Sequence, residues 1–526
     1  MGDVSRIDLA VIAVYILGIT VLGCTFVRRE RSTERFFLAG RRLPWWAVGL
    51  SIFGTQLSAI TFMAIPGRAY ATDWTWLVGN VMIAVMAPVI AFVYLPFFRR
   101  APITSAYEYL ESRFHPRLRD YGGLAFVLMQ LGRMGVVLYL PALALSEVTG
   151  LSVVAMVVVV GLLIIVYTVM GGIEAVIWTD VVQVVVLLGG ALYTVALIAS
   201  DVGGLGAIVR AGQAAGKLRL VRWTADPTVE ALWLLVVGGA LTQLIPYGSD
   251  QTVVQRYLTT RTEREARRSI LLNGAMCIPS SLLFFFIGTA LFAYYQAHPS
   301  AEVAALKMDR VYPYFIVHVL PPGVAGLVIA AVFAASMSSL DSSLNSVSTV
   351  CVNDFYRRYV NPRASDRRAL AVARCLTVFW GLLATAIAAY MAVKIQQNPE
   401  HKGAWHTFVV LLGLLGGGLA GLFVLGLFVP RATWQGALVG VVASAGALYA
   451  ATRLDLKALF GDAVEGHTLH KAFGYPLVGI VACVVAGAVA SLLFAPRPPA
   501  EVAPYTVQGT RRATRAARKS GKETRP

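Results

Sequence analysis

The amino-acid sequence predicts an all-α integral membrane protein, and three observations carry that expectation. Of the 526 residues, 57% are hydrophobic and 14% charged, against about 25% charged in a soluble domain, and mean hydropathy is +0.68. Thirteen stretches are apolar over the roughly 20 residues that cross a hydrocarbon core. Two of those stretches are interrupted at mid-span by glycine, proline and polar residues. The same composition sets aside a soluble enzyme. Cys24, Cys277, Cys351, Cys375 and Cys483 form no C-x-x-C and all lie in or beside apolar runs, so a zinc module and a disulfide scaffold are set aside too.

The stretches run, in order, over 7–27, 45–65, 75–98, 121–146, 151–171, 176–199, 229–257, 269–294, 322–350, 370–393, 405–429, 434–452 and 472–495. The first begins after Arg6, closes on Arg28, Arg29 and Arg31, and is followed by no small-residue cleavage site, so it reads as a span rather than a signal peptide. Gly49, Gly54, Ser58 and Thr61 dilute the second. In the seventh, Gln243-Leu-Ile-Pro246-Tyr-Gly248-Ser-Asp250-Gln251 breaks the helix, since proline lacks a donor and glycine admits unusual dihedrals. Gly413, Gly416, Gly417, Gly418 and Gly421 suit the eleventh to close helix packing. Interrupted spans standing five apart in order predict an inverted-repeat transporter, the alternative being two ordinarily kinked helices. A transmembrane domain over 1–496, with core repeats near 45–199 and 229–429, and a basic, disordered tail over 497–526 complete the expected organisation.

Forty-five Lys+Arg against 28 Asp+Glu leave a net charge of +17. The arginines cluster on alternate loops: Arg28, Arg29, Arg31, Arg35, Arg41 and Arg42; then Arg99, Arg100, Arg113, Arg117 and Arg119; then Arg256, Arg261, Arg264, Arg267 and Arg268; then Arg357, Arg358, Arg363, Arg367 and Arg368. The opposite loops are poorer, although 200–228 carries Arg210, Lys217, Arg219 and Arg222. Basic loops stay in the cytoplasm, which predicts an N-terminus outside, a C-terminal tail in the cytoplasm and a multi-pass protein of the cell inner membrane. The charge is then topological, with attraction to anionic membrane lipid rather than to nucleic acid, and no obligate protein partner is evident.

Charges within spans are costly and mark function. Arg133 stands near the centre of the fourth span between Gly132 and Gly135, and either pairs with Asp180 or Asp250 or forks onto a substrate carboxylate. Asp180 reads as an interface cap or a cation ligand. In the ninth span Ser338, Asp341, Ser342 and Asn345 recur at i, i+3, i+4 and i+7, an oxygen-rich stripe suited to a hard cation. Serine back-bonding to i−4 carbonyls is the competing account of the serines. His467 and His470 form an H-x-x-H pair with no third ligand nearby, and no phosphate-binding G-x-x-x-x-G-K-[ST] loop occurs.

Gly171-Gly172-Ile-Glu-Ala-Val-Ile-Trp178-Thr179-Asp180-Val-Val-Gln183, Phe37-Leu-Ala-Gly40-Arg-Arg-Leu-Pro44-Trp45-Trp46-Ala-Val-Gly49, Val253-Val-Gln255-Arg256-Tyr257 and the Ser338–Ser346 cluster resemble the signatures of the sodium:solute symporters over roughly residues 5–495. Within that family, Leu57–Pro66, Thr72–Thr75, Ile103–Glu111 and Gly132-Arg133 resemble the bacterial sialic acid symporter branch most. The resemblance implies a LeuT-type fold, ten core helices in two inverted repeats of five, with one helix before and two after. It also implies a main sodium site from the backbone oxygens of Gly54, Leu57 and Ala335 and the hydroxyls of Ser338 and Ser339. A second cation site would fall on Asp180, Ser338, Asp341 and Ser342. Substrate contacts would fall on Ser58, Thr61, Asn80 and Arg133, with Gln56 beside them and Trp76 and Tyr247 shielding a ring face.

Four positions depart from the branch: Asp341 stands for a serine, Gln56 for a threonine, Asn80 for a glutamine and Tyr247 for a phenylalanine. The expected function is sodium-coupled import of a small carboxylate-bearing solute, with sialic acid (N-acetylneuraminate) as the compound the resemblance names. Symport of a sugar, monocarboxylate or amino acid is the alternative, and a non-transporting solute sensor a further one. A sodium ion is the only cofactor implied, and nothing in the sequence points to an enzyme.

Overall fold

The computed structural model describes residues 5–26, 32–57, 59–99, 103–397 and 412–510. Among them nine helices are long and apolar enough to cross a membrane, two bent pairs each make one further span, and Val153–Val166 and Gly417–Phe428 are shorter apolar helices. All thirteen predicted stretches therefore have a helical counterpart, the eleventh only from Leu412 onward, because 405–411 lie outside the described residues.

The first helix, α1 (Arg6–Thr25), opens on a capping box between Ser5 and Asp8. It is peripheral, with Val14, Leu17 and Val21 exposed to the lipid side. The broken span that follows is α2 (Trp45–Gln56) and α3 (Ala59–Ala71), bent by 57°. Leu57 ends α2 at φ −82°, ψ 85°, outside the helical range. Next come α4 (Thr75–Arg99), α5 (Pro116–Thr149) and α6 (Val153–Val202). Two spans share α6, because Gly172 sits at φ 55°, ψ −161°, and a Cβ there would lie 2.8 Å from the Phe36 carbonyl oxygen.

The second broken span is α7 (Leu232–Gly248) and α8 (Gln251–Leu258), bent by 59°. Here the chain stops and restarts because Asp250 caps α8, its Oδ1 accepting the Thr252 N–H at 2.7 Å. Then follow α9 (Glu263–Ala297), the short α10 (Met308–His318), α11 (Val324–Val350), α12 (Asp366–Gln397), α13 (Gly417–Phe428), α14 (Trp434–Arg453) and α15 (Lys471–Ala490).

The centre of the molecule is α11, in which every residue from Val328 to Val350 is buried, serines and Asp341 included. Asp8 fastens α1 to its start, accepting the N–H groups of Gly323 and Gly326, each at 2.7 Å. Glycines bring the last helices together as expected: a Cβ on Gly417 would lie 3.2 Å from the Gly479 Cα, and one on Gly421 2.5 Å from the Cys483 Cβ.

The tail corrects one expectation. Disorder was predicted from residue 497, yet short helical turns run over Pro499–Val502 and Ala503–Tyr505, with Val502 and Thr506 buried. The Tyr109 hydroxyl donates to the Tyr505 carbonyl at 2.9 Å, and Arg497 donates to the Ser112 carbonyl at 3.2 Å. A few apolar anchors (Val502, Tyr505 and Val507) suffice to seat a stretch whose composition is otherwise polar. The basic residues from Arg511 onward lie outside the described residues.

Candidate substrate and cation site

Because α2 ends at Leu57, the carbonyls of its last turn are released from the i→i−4 ladder. One of them, Thr55, accepts two hydrogen bonds from different helices: Arg133 Nη2 of α5 at 2.9 Å and Ser339 Oγ of α11 at 3.1 Å. The glycine beside it admits this approach. A Cβ on Gly54 would lie 2.8 Å from the Val184 side chain and 3.5 Å from Ser338 Oγ.

The serines of α11 use their hydroxyls in two ways, and Ser343 in both, since it also reaches Gln130. Ser336, Ser343 and Ser346 donate to the carbonyls of Val332, Ser339 and Ser342 at 3.3, 2.8 and 2.7 Å, which is the back-bonding alternative realised. Ser338 and Ser339 instead reach across to other helices, Ser338 to Asp180 Oδ1 and Ser339 to the Thr55 carbonyl. These are the two hydroxyls assigned to the main sodium site. Gly54, Leu57 and Ala335 are buried too, and the carbonyl and hydroxyl oxygens of these five residues are of the kind a hard monovalent cation takes, so the residues present fit a sodium ion.

The second predicted cation set is also gathered in one place. Asp180 is fully buried, and its Oδ2 accepts Ser51 Oγ, Thr55 Oγ1 at 3.5 Å and Arg256 Nη2 at 3.1 Å. It is no interface cap, standing eight residues past the Gly172 break within α6. Ser342 Oγ lies 3.2 Å from an Asp341 oxygen and accepts from Arg256. A cation is thus already present there, the Arg256 guanidinium, which also reaches Ser51 Oγ at 2.8 Å and the Thr252 carbonyl at 2.6 Å. Counting Arg256 among loop arginines is corrected by this arrangement, since it is wholly buried. The seventh apolar stretch reaches residue 257, and that was the signal: α8 carries Arg256 inside the span.

Arg133 differs from both readings that paired it with an acid. Among the described residues no carboxylate lies within salt-bridge distance of it. Asp180 is held by Arg256, while Asp250 Oδ2 accepts Gln130 Nε2 at 2.8 Å. Gln130 in turn accepts Ser343 Oγ at 2.9 Å, linking the second break to α11. Thr55, Ser51 and Gln130 carry no signal in the sequence, and Arg256 reads there only as a loop arginine within a family signature, because their roles depend on helices that meet only in the fold.

Two further donors stand unused. The Gln56 and Asn80 side-chain amide nitrogens are buried with no partner among the described residues. Thr61 is half-buried on α3, and Ser58 lies outside the described residues. Tyr247 is buried at the end of α7, its carbonyl accepting the Tyr257 hydroxyl at 2.9 Å. Trp76 stands in an outer cluster one turn above Asn80. Its indole N–H donates to Glu230 Oε1 at 3.2 Å, the Arg68 guanidinium lies 4.1 Å over its ring, and the His470 and Phe473 rings pack at 5.7 and 5.5 Å. His470 is thereby engaged with Glu230 and aromatics, His467 lies 3.1 Å from Asp455, and no group of three metal-ligating side chains occurs among the described residues.

Two broken helices, a charged group at mid-membrane depth and an oxygen-lined central helix define a secondary transporter of the LeuT type. The pattern of the sodium:solute symporter family matches residues 36–444, and the chain belongs to that family. It is therefore a sodium-coupled membrane transporter rather than an enzyme. It is 37% identical over 498 residues to the sodium/sialic acid symporter SiaT of Proteus mirabilis, covering 94% of this chain and 97% of that one. It is 37% identical over 489 residues to the sodium/sialic acid symporter NanT of Aliivibrio fischeri, covering 91% and 92%. A solved Na+-coupled sialic acid symporter, substrate-bound and outward-open and described as revealing a novel Na+ site, superposes with a TM-score of 0.84 at 36% identity over 94% of this chain and 99% of its own. The closed nucleobase-cation-symport-1 transporter Mhp1 shares the fold alone, with a TM-score of 0.55 at 15% identity over 93% of this chain and 96% of its own.

Proposed function

We propose that this transporter imports N-acetylneuraminate, or a near relative bearing one carboxylate and several hydroxyls, together with sodium. One observation carries the reading. Among the described residues Arg133, near the centre of its span, bonds a single backbone carbonyl and faces no acid within salt-bridge distance, which leaves a planar fork for a carboxylate. The orphaned Gln56 and Asn80 amides supply donors for hydroxyl or amide oxygens of the same molecule, and burying them unpaired favours a ligand that satisfies them. A plain monocarboxylate would satisfy Arg133 and leave both amides orphaned. A neutral sugar would do the reverse. The names of the SiaT and NanT relatives support the same substrate.

Gly54, Leu57, Ala335, Ser338 and Ser339 would hold the coupling sodium between α2 and α11, where it supplies the charge and the gradient that drive uptake. Asp180, Ser338, Asp341 and Ser342 remain the proposed second cation set, now with Arg256 built into it. The alternation of basic and sparse loops supports an inner-membrane protein with its N-terminus outside and its tail in the cytoplasm, its arginines meeting anionic lipid.

The test is uptake of labelled N-acetylneuraminate into proteoliposomes under a sodium gradient, with counterflow by pyruvate, glucose and proline. Sodium-dependent uptake competed only by sialic acids is expected. Uptake that proceeds equally in choline, or is displaced as well by glucose, overturns the reading.

A further inference from the structure

The Thr55 carbonyl joins the two halves of the proposed site. It accepts from Arg133 Nη2 at 2.9 Å and from Ser339 Oγ at 3.1 Å, so the guanidinium nitrogen and the sodium-site hydroxyl lie no more than about 6 Å apart. A guanidinium cannot shed its proton. Asp180 is paired with Arg256, and Asp250, held by the neutral Gln130 and Thr252, acts on Arg133 only from beyond salt-bridge distance. Arg133 therefore holds a positive charge one carbonyl away from Ser339, and among the described residues no carboxylate lies within salt-bridge distance of it, while Ser338 donates to Asp180.

We infer that Arg133 couples the two ligands electrostatically, opposing a cation at Ser338 and Ser339 until a substrate carboxylate cancels its charge. This rests on the sodium and carboxylate assignments above and adds to them a mechanism for obligate coupling. The carboxylate draws the fork off the Thr55 carbonyl, which leaves that oxygen to Ser339 alone and removes the repulsion in one step. Each ligand then strengthens the other by the same factor, as linkage requires. Among the described residues Asp250 and Arg256 act on Arg133 through space with opposite sign, and both are held in hydrogen bonds that substrate binding need not break.

Sodium titration of the purified full-length protein in detergent, read as the shift in thermal unfolding midpoint against choline, tests this with and without N-acetylneuraminate. Without the acid, Arg133→Gln is expected to bind sodium roughly tenfold more tightly than wild type, about 1.4 kcal/mol, while Arg133→Lys, which keeps the charge, stays near wild type. With the acid, wild type tightens and Arg133→Gln does not. If Arg133→Gln does not fold, Arg133→Met carries the same comparison. Equal sodium affinity of wild type and the neutral variants without the acid overturns the inference and leaves the sodium and carboxylate assignments standing. A wild type that sodium stabilises no better than choline overturns the sodium assignment and the inference with it.

Discussion

Arg256 on α8 and Arg133 on α5 both stand inside the transporter, and they are treated in opposite ways. Arg256 is fully buried, and every arm of its guanidinium is used: Nε on Ser51, Nη1 on the Thr252 carbonyl, Nη2 on Asp180 and Ser342. Arg133 is only half-buried and, among the described residues, makes one hydrogen bond, to the Thr55 carbonyl. A satisfied buried charge is part of the scaffold. An unsatisfied one beside an unwound backbone is poised for a ligand. The difference also shows how a carboxylate can be kept out of competition. With Asp180 tied to Arg256, and Asp250 beyond salt-bridge distance, the proposed substrate carboxylate meets no competing acid at Arg133 among the described residues.

The comparison breaks most visibly at Arg256. Arg256→Gln leaves the Asp180 carboxylate buried without its cation, at a cost of about 3–5 kcal/mol. Folded yield and the thermal unfolding midpoint in detergent should both collapse, and Asp180→Asn added to Arg256→Gln should restore much of each. A stable Arg256→Gln that merely transports less would make Arg256 a ligand-handling group and erase the contrast. Arg133→Lys should do the reverse, leaving the unfolding midpoint nearly unchanged while cutting sialic acid uptake at least tenfold, about 1.4 kcal/mol, because a point charge replaces the planar fork.

The serines of α11 sharpen the same contrast on a smaller scale. Ser339→Ala removes a hydroxyl that crosses to another helix, and the sodium concentration for half-maximal uptake should rise by the equivalent of about 1–3 kcal/mol. Ser346→Ala removes one that only back-bonds to Ser342, and uptake should change by less than about twofold, some 0.4 kcal/mol. Equal effects would mean that crossing and back-bonding hydroxyls are not functionally distinct.

The smallest effect is expected at the outer cluster, where a third arginine, Arg68, is paired at the membrane edge. His470 first, and Arg68 next, hold the Glu230 carboxyl down at about 2. A depressed carboxyl contributes stability that is complete above its ordinary range and lost only as pH falls through the folded value. The stability gap between wild type and Glu230→Gln should stay constant from pH 8 to about 5 and close only between about 4 and 2. A gap that closes well above pH 5 would overturn this assignment of the latch to the Glu230 carboxylate.

Thirteen spans, two broken helices and a charged mid-membrane arginine were legible in the amino-acid sequence, because span length, glycine and proline placement and the scarcity of charge are properties of single segments. The family signatures added the Ser338 and Ser339 pair and the Asp180 position. What the sequence could not decide was partnership. Arg256 read as a loop arginine, Trp76 as a substrate wall, and Asp180 as either cap or ligand, since each answer depends on which helix faces it. Only the packing of α2, α5, α6, α8 and α11 around one point assigned Asp180 to Arg256, left Arg133 to the Thr55 carbonyl, and separated the serines that close their own helix from those that open toward another. Hydropathy is set residue by residue, whereas hydrogen-bond satisfaction inside a membrane is settled between elements far apart in the chain, and that is why the second could be read only from the tertiary structure.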